Sequence, residues 1–136
     1  HYIEEGVPFT VSSMEGNEVE VVPFRVMHGQ LPIMGFRIGP MAWITDMSRM
    51  PEESYDCLKD LKLLVMNALR IEPHWTHQSL SEALEQTQRI HAEKTYFIHM
   101  SHQIGLHAKV QAQLQENVYL TYDGLQLEVD ESGKMK

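Results

Sequence analysis

The strongest structural signal in this 136-residue chain is a helix that begins after Ser79 and lies between two short apolar runs. Ser79 and Glu82 have the spacing of a capping box, in which each side chain bonds the backbone N–H of the other residue. At helical spacing, one face of this segment consists of Leu80, Ala83, Leu84 and Thr87. The runs at 61–66 and 95–98 have the length of buried strands. The sequence therefore predicts strand, helix and strand in succession, which indicates an α/β fold.

The first third of the chain is rich in strand signals. Residues 18–26 alternate charged and apolar side chains and then become apolar, as a strand entering a core does, and Gly29 and Pro32 are expected to end it. Residues 33–38 and 41–45 predict a hairpin that turns at Gly39-Pro40.

Further elements are predicted on both sides of the capped helix. Pro51 can open a short helix over 51–59, because proline at the first helical position lacks an N–H that would be unpaired anyway. A helix over 106–116 is expected to face inward with Leu106, Val110 and Leu114. Segments 118–122 and 125–129 predict a closing hairpin that turns at Asp123-Gly124, followed by a polar, frayed tail from Asp130.

Composition and charge limit the classes of protein. Hydrophobic residues make up 43% of the chain and charged residues 22%, the profile of a soluble globular domain. A net charge of -8 argues against general affinity for nucleic acid, which needs clustered Lys and Arg. Cys57 is the single cysteine, so we expect no intrachain disulfide and a cytoplasmic location. The sequence predicts no membrane span. It opens at His1 without an initiator Met, which we interpret as a sign of a shortened chain.

Three potential metal ligands stand at the ends of predicted strands: His28, Asp46 and His99. In an open α/β sheet, ligands bind beyond the carboxyl ends of strands, so these side chains are expected to converge. Imidazole and carboxylate together suit Zn, Mn or Fe. Each residue also has a plain structural interpretation. A histidine at a strand end can simply be hydrogen-bonded, Asp46 can begin a turn, and His99 with His102 can form a polar loop.

Several segments resemble the second half of metallo-β-lactamase-fold hydrolases over about residues 18–129. The branch most similar is the phosphoribosyl cyclic phosphate phosphodiesterase, a relative of ribonuclease Z. The segments that carry the resemblance are His28-Gly29-Gln30-Leu31-Pro32, Gly35-Phe36-Arg37-Ile38-Gly39, Ile44-Thr45-Asp46, Thr76-His77-Gln78-Ser79-Leu80, Phe97-Ile98-His99-Met100-Ser101-His102 and Tyr122-Asp123-Gly124.

The resemblance implies a role for each matching position. His28 is implied to complete the ligands of a first metal ion, Asp46 to bridge two ions, and His99 to complete the ligands of the second. His77 is implied to touch the substrate phosphate and to protonate the leaving alkoxide, with a helix-entry residue just before the Ser79 cap as the alternative. His102 is implied to orient His99 through a hydrogen bond.

The remaining histidines carry weaker implications. His74 is left open between a loop residue and a pocket wall. His91 and His107 lie on predicted helices and are expected to face solvent.

One family motif is absent, because no His-x-His-x-Asp-His occurs in the sequence. We therefore expect residues 1–136 to form a single half-domain, the carboxyl-terminal half of a four-layer αββα sandwich. The resemblance implies two divalent ions, Zn or Mn, in the intact protein, whereas the chain alone is expected to be an inactive fragment. An isolated half would expose the apolar face that meets its partner, so self-association is expected.

The function implied by the resemblance is metal-dependent hydrolysis of a small phosphodiester or cyclic phosphate. Two alternatives stay open: a binding or scaffolding module that kept the fold and lost catalysis, and a hydrolase of the same fold acting on a thioester, a lactam or a tRNA precursor. The acidic composition weighs against a large RNA substrate.

Overall fold

A computed structural model describes residues 2–129, and the strands of this region form one seven-stranded sheet in sequence order. The strands are β1 (Phe9–Ser12), β2 (Glu18–His28), β3 (Leu31–Ile38), β4 (Met41–Ile44), β5 (Leu63–Asn67), β6 (Lys94–Ile98) and β7 (Val118–Leu120). The helices are α1 (Leu80–Ile90) and α2 (His107–Gln111), with 3-10 helices at Glu52–Leu58 and His102–Ile104. The prediction of an α/β fold is confirmed. The short and mostly exposed edge strand β1 was not predicted.

The strand directions place one set of strand ends on a common edge. Strands β1 to β4 pair antiparallel, whereas β4 to β7 pair parallel. Strands β2, β4, β5, β6 and β7 therefore run in the same direction. Their carboxyl ends lie along one edge of the sheet, named here the carboxyl edge. Residues that follow these strands can meet there although they are far apart in sequence.

The core lies on the sheet face covered by α1 and the first 3-10 helix. Its largest fully buried apolar side chains include Phe24, Val26, Ile44, Leu58, Leu64, Met66 and Phe97. Ala83 and Ile90 of α1 belong to the same buried cluster. Every residue of β5 is buried, as expected for a central parallel strand covered on both faces.

The capping box at the start of α1 is confirmed. The Ser79 N–H donates to a Glu82 carboxylate oxygen at 2.6 Å, and the Glu82 N–H donates to the Ser79 hydroxyl at 3.4 Å. The helix ends at His91, which adopts a left-handed conformation with φ of 56°. The segment after Pro51 is a 3-10 helix, with Pro51 as the residue before it and not as its first member.

Pro32 does not end a strand, contrary to expectation. It lies inside β3, opposite Met27 of β2, and the turn between the two strands consists of Gly29 and Gln30 alone. The N–H and C=O of Met27 point away from β3 and bond the segment at Ser48 and Arg49 instead. A residue at position 32 therefore needs no N–H for this pairing, and β4 reaches only 36–38 on the other side of β3.

The predicted closing hairpin is wrong. β7 ends at Leu120 and pairs with β6 in parallel, and residues 125–129 form no strand beside it. The alternating Leu125, Leu127 and Val129 instead line a cavity of about 480 Å³ over the sheet face that carries Trp43 and Tyr96. Their alternation was a true sign of burial on one side, but the surface they meet is a sheet face and not a neighbouring strand. The tail from Asp130 lies outside the described residues.

The predicted helix over 106–116 is shorter than expected. Its α-helical part is His107–Gln111, and the Leu106 side chain is 68% exposed. No side chain caps its start, and the Gln111 side chain bonds the backbone of β7. Among residues 2–129, no helix has both the length and the apolar character that crossing a membrane requires.

Candidate metal centre

Four side chains converge at the carboxyl edge. His28 is the last residue of β2, Asp46 follows β4 by two positions, and His99 comes directly after β6. His77 belongs to the loop between β5 and α1. The expectation that His28, Asp46 and His99 lie together is met, and His77 stands between them. Its ring centroid is 4.8 Å from that of His28 and 5.0 Å from that of His99.

The centre of this group is a triangle of three donor atoms. Asp46 Oδ1 lies 3.1 Å from the Nε2 atoms of both His77 and His99, and the two Nε2 atoms are 3.2 Å apart. Zinc bonds nitrogen and oxygen at about 2.0–2.2 Å, so neighbouring ligand atoms around a tetrahedral ion lie about 3.3–3.6 Å apart. The edges of the triangle are slightly shorter than those of such a site.

His28 is held by a hydrogen bond to the backbone of the Asp46 loop. Its Nδ1 lies 2.8 Å from the backbone oxygen of Asp46, and only an N–H can satisfy that contact. The proton is thus on Nδ1, which leaves the electron pair of Nε2 available to an ion. Ligand atoms of His28, Asp46 and His77 all lie within 4.8 Å of one another.

Two of the four residues have an unusual backbone. Asp46 and His99 adopt left-handed conformations, with φ of 59° and 56°. Such conformations cost free energy for residues other than glycine, and Asp and His are among the residue types that tolerate them best. Both residues lie just after a strand, and their side chains meet at 3.1 Å.

A buried amide pair fixes the loops that carry Asp46 and His77. The Asn67 side chain accepts from the N–H of Met47 and donates to the C=O of Met47, both at 2.8 Å. Gln78 donates from its side chain to the C=O of Asn67 at 2.6 Å and from its backbone to Met47. The residues flanking Asp46 and His77 are therefore joined by four hydrogen bonds in a buried position.

Sequence reasoning did not identify Asn67 or Gln78. The available signal was that the apolar run Leu63–Asn67 ends in a polar residue. A polar side chain at the end of a buried strand is rarely left without a hydrogen-bond partner.

A further pair of bonds connects the β2–β3 turn to the Asp46 loop. The Gly29 N–H donates to the Ser48 hydroxyl at 3.0 Å, and that hydroxyl donates to the C=O of Met27 at 2.9 Å. His28 and Asp46 are thus held by neighbouring backbone as well as by their direct contact.

The electrostatics of the site favour an ionised carboxylate beside neutral imidazole. Burial acts to raise the pKa of Asp46, but the hydrogen bond with His77 and the charges of His99, His77 and His28 outweigh it, so the pKa is below its ordinary value. Burial lowers the pKa of His77; the hydrogen bond with Asp46 opposes this, and His99 and His28 reinforce the lowering. These are the protonation states in which both groups bind metal ions.

The other histidines take different places. His74 contacts His77, with ring centroids 5.2 Å apart, so it belongs to the wall of the site. His91 and His107 are exposed, as expected. His102 is exposed in the second 3-10 helix, and within residues 2–129 no hydrogen bond joins it to His99. Its expected role in orienting His99 stays a prediction.

The donor set fits one divalent ion. Three imidazoles and one carboxylate suit zinc, manganese or iron, and Asp46 is 40% exposed, which leaves its side chain open to an incoming ion. Two ions would need more donors than these four residues supply, and the sequence contains no His-x-His-x-Asp-His segment. The roles of His28, Asp46 and His99 as ligands stay predictions.

The protein is an α/β domain with a mixed sheet. Imidazoles and a carboxylate lie together at the carboxyl edge of this sheet, where they could hold a metal ion. A family model described as the beta-lactamase superfamily domain matches residues 1–100. The chain belongs to the beta-lactamase superfamily, which confirms the resemblance and makes it homologous to the hydrolases of that superfamily.

Two similar proteins cover almost all of the chain. One is a crystal structure described as a new diphosphatase from the PhnP family, with a TM-score of 0.85, 32% identity, and coverage of 96% of this chain and 49% of that chain. The other is named octanoyltransferase, from Porphyromonas gingivalis, and is 36% identical over 132 residues, which are 96% of this chain and 26% of that protein. The chain thus spans about a quarter of the curated relative and about half of the solved structure.

Proposed function

We propose that the intact protein is a divalent-metal-dependent phosphodiesterase that hydrolyses a small phosphodiester or a cyclic phosphate. The convergence of His28, Asp46, His77 and His99 at the carboxyl edge is the observation that carries this proposal. The solved structure at 32% identity, described as a diphosphatase of the PhnP family, supports a phosphate-containing substrate. We propose that the intact protein binds two ions, zinc or manganese. This chain supplies part of their ligands.

The side chains have distinct roles in this proposal. Divalent ions, when bound, supply a nucleophilic water at neutral pH and neutralise phosphoryl charge. Asp46, His28 and His99 would hold the ions, with Asp46 as the ligand that the two ions share. His77 would bind a phosphate oxygen through Nε2 and give its proton to the leaving alkoxide as a general acid. His102 would orient His99.

We also propose that residues 1–136 form one half of a four-layer αββα sandwich. The support is the apolar sheet face opposite α1, where Trp43 is 43% exposed and the stacked rings of Tyr96 and Tyr119 lie 5.0 Å apart. Such a face is expected to pack against a second sheet in the intact protein, and to associate when the chain is alone. A cytoplasmic location belongs to the same proposal, since the single cysteine forms no intrachain disulfide.

Hydrolysis of a thioester is the second candidate, and the curated relative favours it. That protein is named octanoyltransferase, so an acyl substrate is the natural alternative to a phosphodiester. The matched region is 26% of it, which leaves most of that protein outside the similarity.

A substrate panel tests the proposal. The intact protein, loaded with zinc or manganese, would be given a ribose cyclic phosphate, bis(4-nitrophenyl) phosphate, a symmetrical diphosphate diester and an octanoyl thioester. We expect hydrolysis of the first two and its loss after treatment with a chelator. Cleavage of the diphosphate alone would move the substrate class to phosphoanhydrides. Cleavage of the thioester alone, or of none of the four, would contradict the proposal.

A further inference from the structure

The segment that follows β5 is bonded to two loops of the candidate metal centre. The N–H of Leu69 donates to the C=O of Gln78 at 3.1 Å, and the C=O of Leu69 accepts from the N–H of Ser101 at 2.8 Å. Gln78 comes directly after His77, and Ser101 comes two positions after His99. The backbone of one residue therefore joins the loop that carries His77 to the loop that follows β6.

The outer part of the His77 loop, defined here as residues 71–78, is not anchored by its apolar side chains. Ile71 is 50% exposed and Trp75 is 93% exposed. At its inner end the loop contacts the β2–β3 turn, where a Cβ added to Gly29 would lie 3.0 Å from Thr76 Cγ2. A loop with few buried apolar contacts opens easily unless hydrogen bonds hold it. The outer part of the His77 loop therefore depends on polar contacts for its position.

The Arg70 side chain supplies these polar contacts. Its Nε donates to the C=O of Glu72 at 3.2 Å, and its two terminal nitrogens donate to the C=O of Pro73 at 2.8 Å and to the side-chain oxygen of Gln103 at 3.1 Å. The guanidinium group is planar and presents its N–H groups in fixed directions. It therefore holds three oxygens in a fixed arrangement, two in the His77 loop and one in the segment after β6.

The Gln103 end of this connection is itself held in place. The N–H of Gln103 donates to the Ser101 hydroxyl at 3.2 Å, a bond that caps the second 3-10 helix. Across the site, the Nε2 atoms of His77 and His99 lie 3.2 Å apart. The Arg70 guanidinium thus spans the same two loops whose imidazoles meet in the candidate metal centre.

We propose that Arg70 is a positioning residue that sets the place of His77 relative to His99 by joining the loops that carry them. The inference rests on the proposed function for its catalytic consequence, because a general acid works only within hydrogen-bond reach of the leaving group. All three partners of the guanidinium are uncharged carbonyl oxygens, so Arg70 acts here through its shape. A misplacement of about 1 Å at a reacting group can slow a reaction about 100-fold.

Arg37 provides a matched control at the opposite end of the sheet. Its side chain also donates to three carbonyl oxygens, those of Gly39, Cys57 and Lys59. Arg70→Ala removes the guanidinium from the metal centre, whereas Arg37→Ala removes one from the β3–β4 turn. Arg70→Lys keeps the positive charge and loses the planar shape.

Limited proteolysis of the metal-free intact protein measures how firmly the His77 loop is held. Chymotrypsin cleaves after Trp75 when the loop opens, and mass spectrometry identifies the cut. We expect this cleavage to be about 10- to 100-fold faster in Arg70→Ala and in Arg70→Lys, because hydrogen bonds from a charged donor are lost. Added guanidinium ions should slow it again in Arg70→Ala, since the free ion fits the same three oxygens. Arg37→Ala should be cleaved there at the wild-type rate.

Kinetics of the zinc- or manganese-loaded intact protein separate positioning from substrate binding. We expect kcat for a phosphodiester with an alkoxide leaving group to fall about 10- to 100-fold in Arg70→Ala, with KM little changed. Guanidinium ions should recover part of this loss, and Arg70→Lys should resemble Arg70→Ala. Arg37→Ala should keep the wild-type kcat.

Wild-type cleavage after Trp75 in Arg70→Ala would overturn the inference. This measurement needs neither substrate nor metal, so it decides even where the proposed hydrolysis is not found. A raised KM with unchanged kcat, or full activity in Arg70→Lys, would also overturn it, because Arg70 would then act on the substrate through its charge. If Arg70→Ala does not fold, Gln103→Met removes the acceptor on the His99 side. Wild-type cleavage and wild-type kcat in that variant would count against the inference equally.

Discussion

The Asn67 side chain fixes the Asp46 loop to the end of β5. It is fully buried, and its amide satisfies both the N–H and the C=O of Met47. We predict that Asn67→Ala lowers the free energy of unfolding by about 1–3 kcal/mol, because the buried N–H of Met47 loses its partner, whereas the C=O of Met47 keeps the backbone N–H of Gln78. Urea unfolding followed by circular dichroism would measure this. The exposed Asn17 is the matched control, and an Asn67→Ala loss no larger than that of Asn17→Ala would contradict the account.

The general-acid role of His77 can be tested by comparing substrates with different leaving groups. We predict that His77→Gln lowers kcat about 100- to 10,000-fold for a substrate with an alkoxide leaving group, which needs a proton. A nitrophenolate leaving group departs without one, so its rate should fall far less. The exposed His91 supplies the control through His91→Gln. Equal losses for both substrates would show that His77 acts in another way, as a ligand for example.

The sequence was sufficient to predict that three site residues lie close together. It was not sufficient to predict which contacts hold them there. The strands that lead to His28, Asp46 and His99 run in the same direction. The ends of these strands can be predicted from the apolar pattern of the sequence. The left-handed backbone of Asp46 and the contacts of Thr76 depend on loop conformations, which hydrophobic periodicity does not encode. Thr76 was visible only as a neighbour of His77.

At the scale of elements, α1 has the most clearly encoded boundary. We predict that Ser79→Ala destabilises the protein by about 1 kcal/mol, since it removes the hydroxyl that accepts from the Glu82 N–H. Thermal unfolding would detect the change, and Ser81→Ala within the same turn is the control. If Ser79→Ala and Ser81→Ala unfold at the same temperature, the capping box does not stabilise the helix as described.

Predictions failed where an alternation of side chains had two possible partners. The segment 125–129 was assigned to a hairpin, whereas it crosses the sheet face over Trp43 and Tyr96. Pro32 was taken as a strand end, yet its missing N–H is not needed at that position of the β2–β3 pairing. The alternation at 125–129 was interpreted correctly as a sign of burial on one side, whereas Pro32 was interpreted wrongly as a strand end, and in both cases the tertiary neighbour decided the element.

At the scale of the whole molecule, the sheet has an apolar face on the side away from α1. We predict that residues 1–136, prepared alone, self-associate through this face because water contact with Trp43 and the neighbouring aromatic rings is unfavourable. Sedimentation velocity over a range of concentrations would measure the association. The two tryptophans provide a comparison, since Trp75 is 93% exposed in the loop that carries His77. Trp43→Ser should weaken association and Trp75→Ser should not, whereas a monomer at all concentrations would contradict the prediction.

The metal content of the intact protein tests the central claim, that His28, Asp46 and His99 at the carboxyl edge bind divalent ions. The measurement is metal analysis of purified wild type, of Asp46→Ala and of Asp56→Ala, after dialysis against zinc or manganese. Asp56 is the control because its carboxylate forms an exposed ion pair with Lys59. We expect two ions per chain in the wild type and in Asp56→Ala, and loss of the dinuclear centre together with hydrolytic activity in Asp46→Ala. Wild-type metal content and full activity in Asp46→Ala would contradict the account.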